Sequence, residues 1–169
     1  MSGSTRPPVA AQARRKALES ALGQLARTME QLETAVSAFP PDFDLPAFVA
    51  AWYSDIPEER NRAMAVRSNM DDLHNLCQGL IGFSVRVAQD QGAIPTDRKT
   101  SAVDQLRQQG FYPREAEQVM QEVVELRNFS QHEYWTLTPE DVHAAVEHQR
   151  QHLPAFIAGV GAWVEGLPV

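Results

Sequence analysis

Residues Pro57 to Val87 read PEERNRAMAVRSNMDDLHNLCQGLIGFSVRV, and this stretch decides the fold. Ala63, Val66, Met70, Leu73, Cys77, Leu80, Ser84 and Val87 recur at alternating intervals of three and four, which lays one stripe along an α-helix. Pro57 suits a first helical turn, where its missing N–H would have no partner. Glu58 and Glu59 follow where the positive end of the helix favours acids. A stripe sustained this long predicts lengthwise packing against other helices in an antiparallel bundle.

On the N-terminal side, Leu18, Leu22, Leu25, Met29, Leu32 and Val36 repeat the same spacing and predict a helix from Ala11 to about Ser37. Pro40-Pro41 stops it. A short helix is expected from Pro46 to Ser54, capped by Asp44, with Phe48, Val49 and Trp52 on its buried side. Residues 1–10, with Ser, Gly and Pro7-Pro8, read as a disordered lead-in, leaving 11–169 as a single helical domain.

On the C-terminal side, Gly92 to Pro95 breaks the long helix. A short helix is expected from Ser101 to Gln109, with Thr100 as cap and Gly110 as terminator. Pro113 opens another, with Ala116, Val119, Met120, Val123 and Leu126 on its face. Thr138-Pro139-Glu140-Asp141 has the form of a further helix start: a Thr cap, a first-turn proline and acids in the first turn. That last helix carries Val142, Ala145, Val146, Leu153, Phe156, Ile157, Val160, Trp163 and Val164, and Pro154 is expected to kink it. No period-two alternation and no internal repeat is present. The fold class is all-α, a bundle of four to five main helices with short ones between.

Composition narrows the function. A chain of 169 residues is long enough for one domain that buries about 70% of its unfolded surface. Lys and Arg number 15 against 22 Asp and Glu, so a broad nucleic-acid cradle is disfavoured, because phosphate affinity draws on many cations. A small basic pocket is compatible with that balance. The single cysteine, Cys77, excludes an internal disulfide and suits a reducing compartment. No apolar run approaches the ~18 residues of a membrane span, and Met1 to Val9 lacks the apolar block of a secretion signal. A cytoplasmic location is the expectation.

Most isolated chemical groups read as structure. Cys77 lies on the apolar stripe and reads as a core thiol. His148 and His152, four apart, share one helix face but lack a third ligand, so they read as a solvated polar face rather than a metal site. His74 and His143 have no assignable partner. Arg14-Arg15-Lys16 and Arg60, Arg62 and Arg67 are most simply exposed helix faces. No metal ligand set and no cofactor motif is found.

One segment stands apart: Arg127-Asn128-Phe129-Ser130-Gln131-His132-Glu133-Tyr134-Trp135. An Arg followed five positions later by His is expected by chance ~0.4 times in this composition. Adding the Tyr lowers that to ~0.007, and adding the Asn to ~0.0002, for independent positions. On a regular helix, positions five apart lie about 140° round from one another. Arg127 and His132 therefore converge only if the helix deforms near Ser130 or a second copy of the motif completes the site.

Leu126-Arg127-Asn128 followed by His132-Glu133-Tyr134-Trp135 resembles the signature of HepT-like proteins in the HEPN superfamily: Arg-Asn, three residues, His, any residue, Tyr. Helix order agrees over about residues 14 to 166. The resemblance implies an up-and-down helical bundle that forms a homodimer with both motif copies facing a shared cleft. It implies a metal-independent endoribonuclease without a cofactor, acting on single-stranded RNA. It further implies a toxin of a type VII-like toxin–antitoxin pair, neutralised by an MNT-type nucleotidyltransferase that attaches AMP to the motif tyrosine, here Tyr134.

The residue types suit that chemistry. RNA carries its own nucleophile, the 2′-OH. His132, with an ordinary pKa of about 6.5, is matched to proton transfer near neutrality. Arg127 offers a permanent planar cation to charge on the phosphoryl oxygens. Asn128 can donate hydrogen bonds to phosphate. Tyr134 can orient RNA, and AMP on its hydroxyl would place bulk and negative charge where phosphate must sit. Ser130 and Gln131 stand where the family carries apolar residues. With the acidic balance, they support an alternative, a non-catalytic helical subunit that presents substrate or nucleotide to a nucleotidyltransferase.

Overall fold

A computed structural model describes residues 8–90, 102–108, 110 and 136–167. Five helices run through them: α1 (Pro8–Val36), α2 (Leu45–Trp52), α3 (Pro57–Asp90), α4 (Ala102–Gln108) and α5 (Pro139–Glu165). No strand occurs among the described residues. The expected Pro113 helix, with Ala116 to Leu126, and the Thr100 cap lie outside them.

The stripe on α3 is the centre of the fold. All eight of its predicted positions are buried, and His74, Ile81, Val85 and Ala88 widen the buried face. The widening has a cause, for α3 touches each of the other four described helices, α1 most extensively. Arg14 near the start of α1 pairs with Asp90 at the end of α3 at 3.1 Å, so the two helices run antiparallel. Leu18, Leu25, Leu32 and Val36 of α1 are buried, and Leu22 is half-buried against the core. Each such fully buried aliphatic side chain stabilises the fold by about 1.5–3 kcal/mol relative to exposure. α1 begins at Pro8, three residues before the predicted start.

Between α1 and α2 the chain turns on a ring of aromatics. Phe39, Phe43 and Phe48 meet edge to face, with Phe48 5.3 Å from Phe39 and 5.0 Å from Phe43. Phe48 in turn meets Trp52 at 5.8 Å. Asp44 caps α2 as predicted, its Oδ2 accepting from Ala47 N–H at 2.9 Å. The buried face of α2 differs from the expectation: Phe48 and Ala51 are buried, whereas Val49 and Trp52 are half-buried. Trp52 is held from outside by Arg67, whose guanidinium lies 5.5 Å from the ring centroid. Arg67 is therefore not the exposed cation the sequence suggests, since burying its stem over an aromatic face is favourable. Arg60 and Arg62 are exposed as expected.

α4 ends where Gly110 takes a φ of +67° and its N–H bonds to Arg107 O at 3.0 Å, the terminating role predicted for it. α5 runs without interruption through Pro154. Pro154 is exposed, so the hydrogen bond it removes lies on the side where water can compensate. Val142, Ala145, Val146, Leu153, Phe156, Val160 and Val164 are buried, while Ile157 and Trp163 are half-buried.

Candidate functional site

Arg127, Asn128, His132 and Tyr134 lie outside the described residues, so the site is approached from the element that leaves it. One residue, Trp135, separates Tyr134 from Thr136, and α5 starts at Pro139. Its cap is reciprocal. Thr138 Oγ1 accepts from Asp141 N–H at 3.2 Å, and Asp141 Oδ2 accepts from Thr138 N–H at 3.0 Å. Leu137 and Val142, the residues flanking the cap at the staple positions, are both buried. These bonds fix where α5 begins.

The first turns of α5 are then joined to the α1–α2 loop. His143 Nε2 lies 2.7 Å from the carbonyl oxygen of Phe43, and the imidazole stacks on the Phe43 ring at 4.3 Å with an 18° tilt. His143 thus has a partner that the sequence does not disclose. Two turns on, Arg150 binds three carboxylates. Its Nε donates to Glu33 at 2.9 Å, and Nη1 donates to Glu147 at 2.7 Å. Nη2 donates to Asp42 at 3.4 Å. The hydrogen bond to Glu33, followed by that to Glu147, raises the Arg150 pKa above its ordinary value despite partial burial.

A cavity of about 520 Å³ opens beside Arg150, lined by Glu33, Asp42, Glu147 and His148 among others. With three carboxylates on one cation its local charge is negative, so it repels phosphate. This cavity is not a seat for RNA. His148 and His152 lie with ring centroids 4.4 Å apart on α5, their planes tilted by 44°, and among the described residues no group of three or more His, Cys, Asp or Glu is placed to hold a metal.

The two remaining reactive side chains belong to the core. Cys77 is fully buried, and burial pushes its thiol up to about 12, which leaves it without thiolate at neutral pH. His74 is buried on the same stripe, and burial pushes its pKa down to about 4. Its Nδ1 has no hydrogen-bond partner among the described residues. Neither group is a nucleophile or base for substrate. Among the described residues no helix is long and apolar enough to cross a membrane.

The fold is thus an all-helical bundle whose last helix is capped directly after a polar Arg–His–Tyr segment. Residues 58–160 match the family described as Ribonuclease HepT-like, a span that covers more than half of the chain and contains Arg127 to Tyr134. The chain belongs to this HepT-like ribonuclease family of the HEPN superfamily. The matched span is narrower than the 14 to 166 suggested by helix order: it takes in α3, α4 and most of α5, and leaves α1 and α2 outside. No curated protein and no solved structure matches the chain.

Proposed function

We propose that this protein is a metal-independent endoribonuclease toxin that acts as a homodimer. A partner nucleotidyltransferase of the MNT type neutralises it by attaching AMP to Tyr134. The observation that carries this reading is the Arg127-Asn128 … His132-x-Tyr134 segment inside a span matched to a ribonuclease family. The 2′-oxygen of single-stranded RNA attacks the adjacent phosphorus and the P–O5′ bond breaks, giving a 2′,3′-cyclic phosphate and a 5′-hydroxyl. One proton leaves the 2′-OH and one joins the departing oxygen. His132 is suited to both transfers, and two copies in a shared cleft divide them between subunits. Arg127 offsets the charge that builds on the phosphoryl oxygens, and Asn128 donates to the same phosphate. AMP on Tyr134 closes the site by bulk and repulsion.

The test is cleavage of single-stranded RNA in EDTA by wild type and by His132→Ala. Wild type is expected to cleave, and the variant to lose about 10²–10⁴-fold in rate, the usual worth of a positioned acid–base group. Equal cleavage by both, or none by either, rejects the reading. Stable complex formation with a nucleotidyltransferase but no cleavage would instead establish the non-catalytic subunit favoured by Ser130-Gln131. Co-expression with the neighbouring gene's product, followed by intact mass, tests regulation: AMP-sized increments should map to Tyr134 and vanish in Tyr134→Phe.

A further inference from the structure

We propose that the α1–α2 loop, residues 37–44, is a clasp by which the N-terminal helices position the motif. In this reading His143 and Arg150 are positioning residues, and the proposal rests on the ribonuclease reading above. Apolar burial explains why α5 packs on the bundle, but it is non-directional and leaves rotation and axial sliding of the helix weakly specified. Directional bonds set those coordinates. His143 supplies two to a single residue, a hydrogen bond to the Phe43 carbonyl at 2.7 Å and a stack on its ring at 4.3 Å.

The loop itself would not hold this shape unaided. Asp42 and Phe43 have φ values of +45° and +58°, a region unfavourable for both side chains and for Phe especially. A cavity of about 230 Å³ beside the loop is lined by Val36, Phe39, Phe43 and Arg150 among others. What holds it are Asp44 N–H to Phe39 O at 2.9 Å, the aromatic ring, and the contacts from α5. Arg150 adds a tie among three elements, bonding Glu33 of α1, Asp42 of the loop and Glu147 of α5. His143 lies five residues past the Thr138 cap, and one residue, Trp135, joins Thr136 to Tyr134. In this proposal a rotation of α5 that the clasp forbids would displace the chain at Thr136, two positions past Tyr134. The clasp also assigns a role to residues 8–56, which precede the matched span.

Three substitutions separate positioning from simple stability. His143→Phe keeps a ring for stacking and removes the Nε2 bond; His143→Ala removes both; His143→Gln restores a donor at comparable reach. All are assayed as full-length protein, at a temperature where circular dichroism shows each folded. For His143→Phe and His143→Ala, kcat for RNA cleavage is expected to fall roughly 10- to 100-fold, as small misplacements of a catalytic group do. KM should stay within about two-fold, and His143→Gln should recover most of the loss. Unchanged kcat in His143→Phe, whatever happens to its melting temperature, overturns the proposal. If wild type does not cleave RNA, it is the ribonuclease reading that fails. The clasp is then decided by hydrogen exchange of residues 139–146, expected to quicken about ten-fold in His143→Phe relative to the C-terminal half of α5. Equal protection in both halves overturns the clasp.

Discussion

His74 shows how one buried residue makes this fold sensitive to acid. It sits on the inner face of α3, 3% exposed, and burial brings its pKa from the ordinary 6.5 down to about 4. The folded state thus resists a proton that the unfolded chain binds readily. Stability from this group is complete above about pH 6.5 and is lost as pH falls towards the folded value. Between pH 7 and pH 4.5 the loss amounts to about 2.5 kcal/mol. Asp71, one turn earlier, has its pKa raised chiefly by burial, with Arg67 opposing, and titrates in both proteins when wild type is compared with His74→Leu. Urea unfolding of the two proteins at both pH values isolates the histidine: the wild type should lose more stability than the variant by that amount. Parallel pH dependence would mean that His74 is charged in the native protein or reaches a partner on protonation.

At the scale of the element, α5 shows what the sequence discloses and what it withholds. Thr138 and Asp141 announce a capping box in four consecutive residues, and the structure has both of its hydrogen bonds. Thr138→Ala removes the acceptor of the Asp141 N–H and should cost about 1 kcal/mol in urea unfolding. Thr34→Ala is the matched control. Its hydroxyl donates to Glu30 O at 2.9 Å within α1, where the carbonyl already has a helical partner, so its loss should stay within about 0.5 kcal/mol. A cost for Thr138→Ala no larger than the control would leave the start of α5 fixed by burial of Leu137 and Val142 alone. Signals of this kind are local, as are the three-and-four stripes of α1, α3 and α5, and they made helix number and core positions legible. The clasp was not legible. His143 and Phe43 are 100 positions apart and Arg150 and Asp42 are 108 apart, and nothing in Pro-Pro-Asp-Phe foretells two left-handed residues. Arg67 misled for the same reason, because its partner ring, Trp52, lies on another helix. The Arg127 to Tyr134 segment stands out in the sequence because its residue types are improbable together. Where its side chains meet depends on packing that no local spacing encodes.

At the scale of the whole molecule, charge constrains how RNA can be met. The chain carries a net charge of −7, and the acidic Arg150 cavity adds a local repulsion. A basic ribonuclease gathers its substrate through many phosphate contacts and loses affinity steeply with salt as the advantage of counterion release fades. This protein, with 15 Lys and Arg against 22 Asp and Glu, has a different balance. Long-range repulsion opposes encounter at low ionic strength, and added salt screens it over a Debye length that falls from about 30 Å at 0.01 M to about 8 Å at 0.15 M. In the proposed homodimer, local attraction at Arg127, once per subunit, is screened much less if the cleft excludes water. The expected outcome is a kcat/KM for single-stranded RNA that is flat or rises over that salt range, rather than falling by the ~10³-fold or more of a protein making many phosphate contacts. Measurement at constant pH in EDTA, with sedimentation at each salt concentration to follow the dimer, separates encounter from assembly. A steep fall in kcat/KM with the dimer intact would reveal a basic surface assembled from residues the net charge conceals. A fall that tracks dissociation would place the salt-sensitive step in the subunit interface, and would make the shared cleft itself the point at which ionic conditions act.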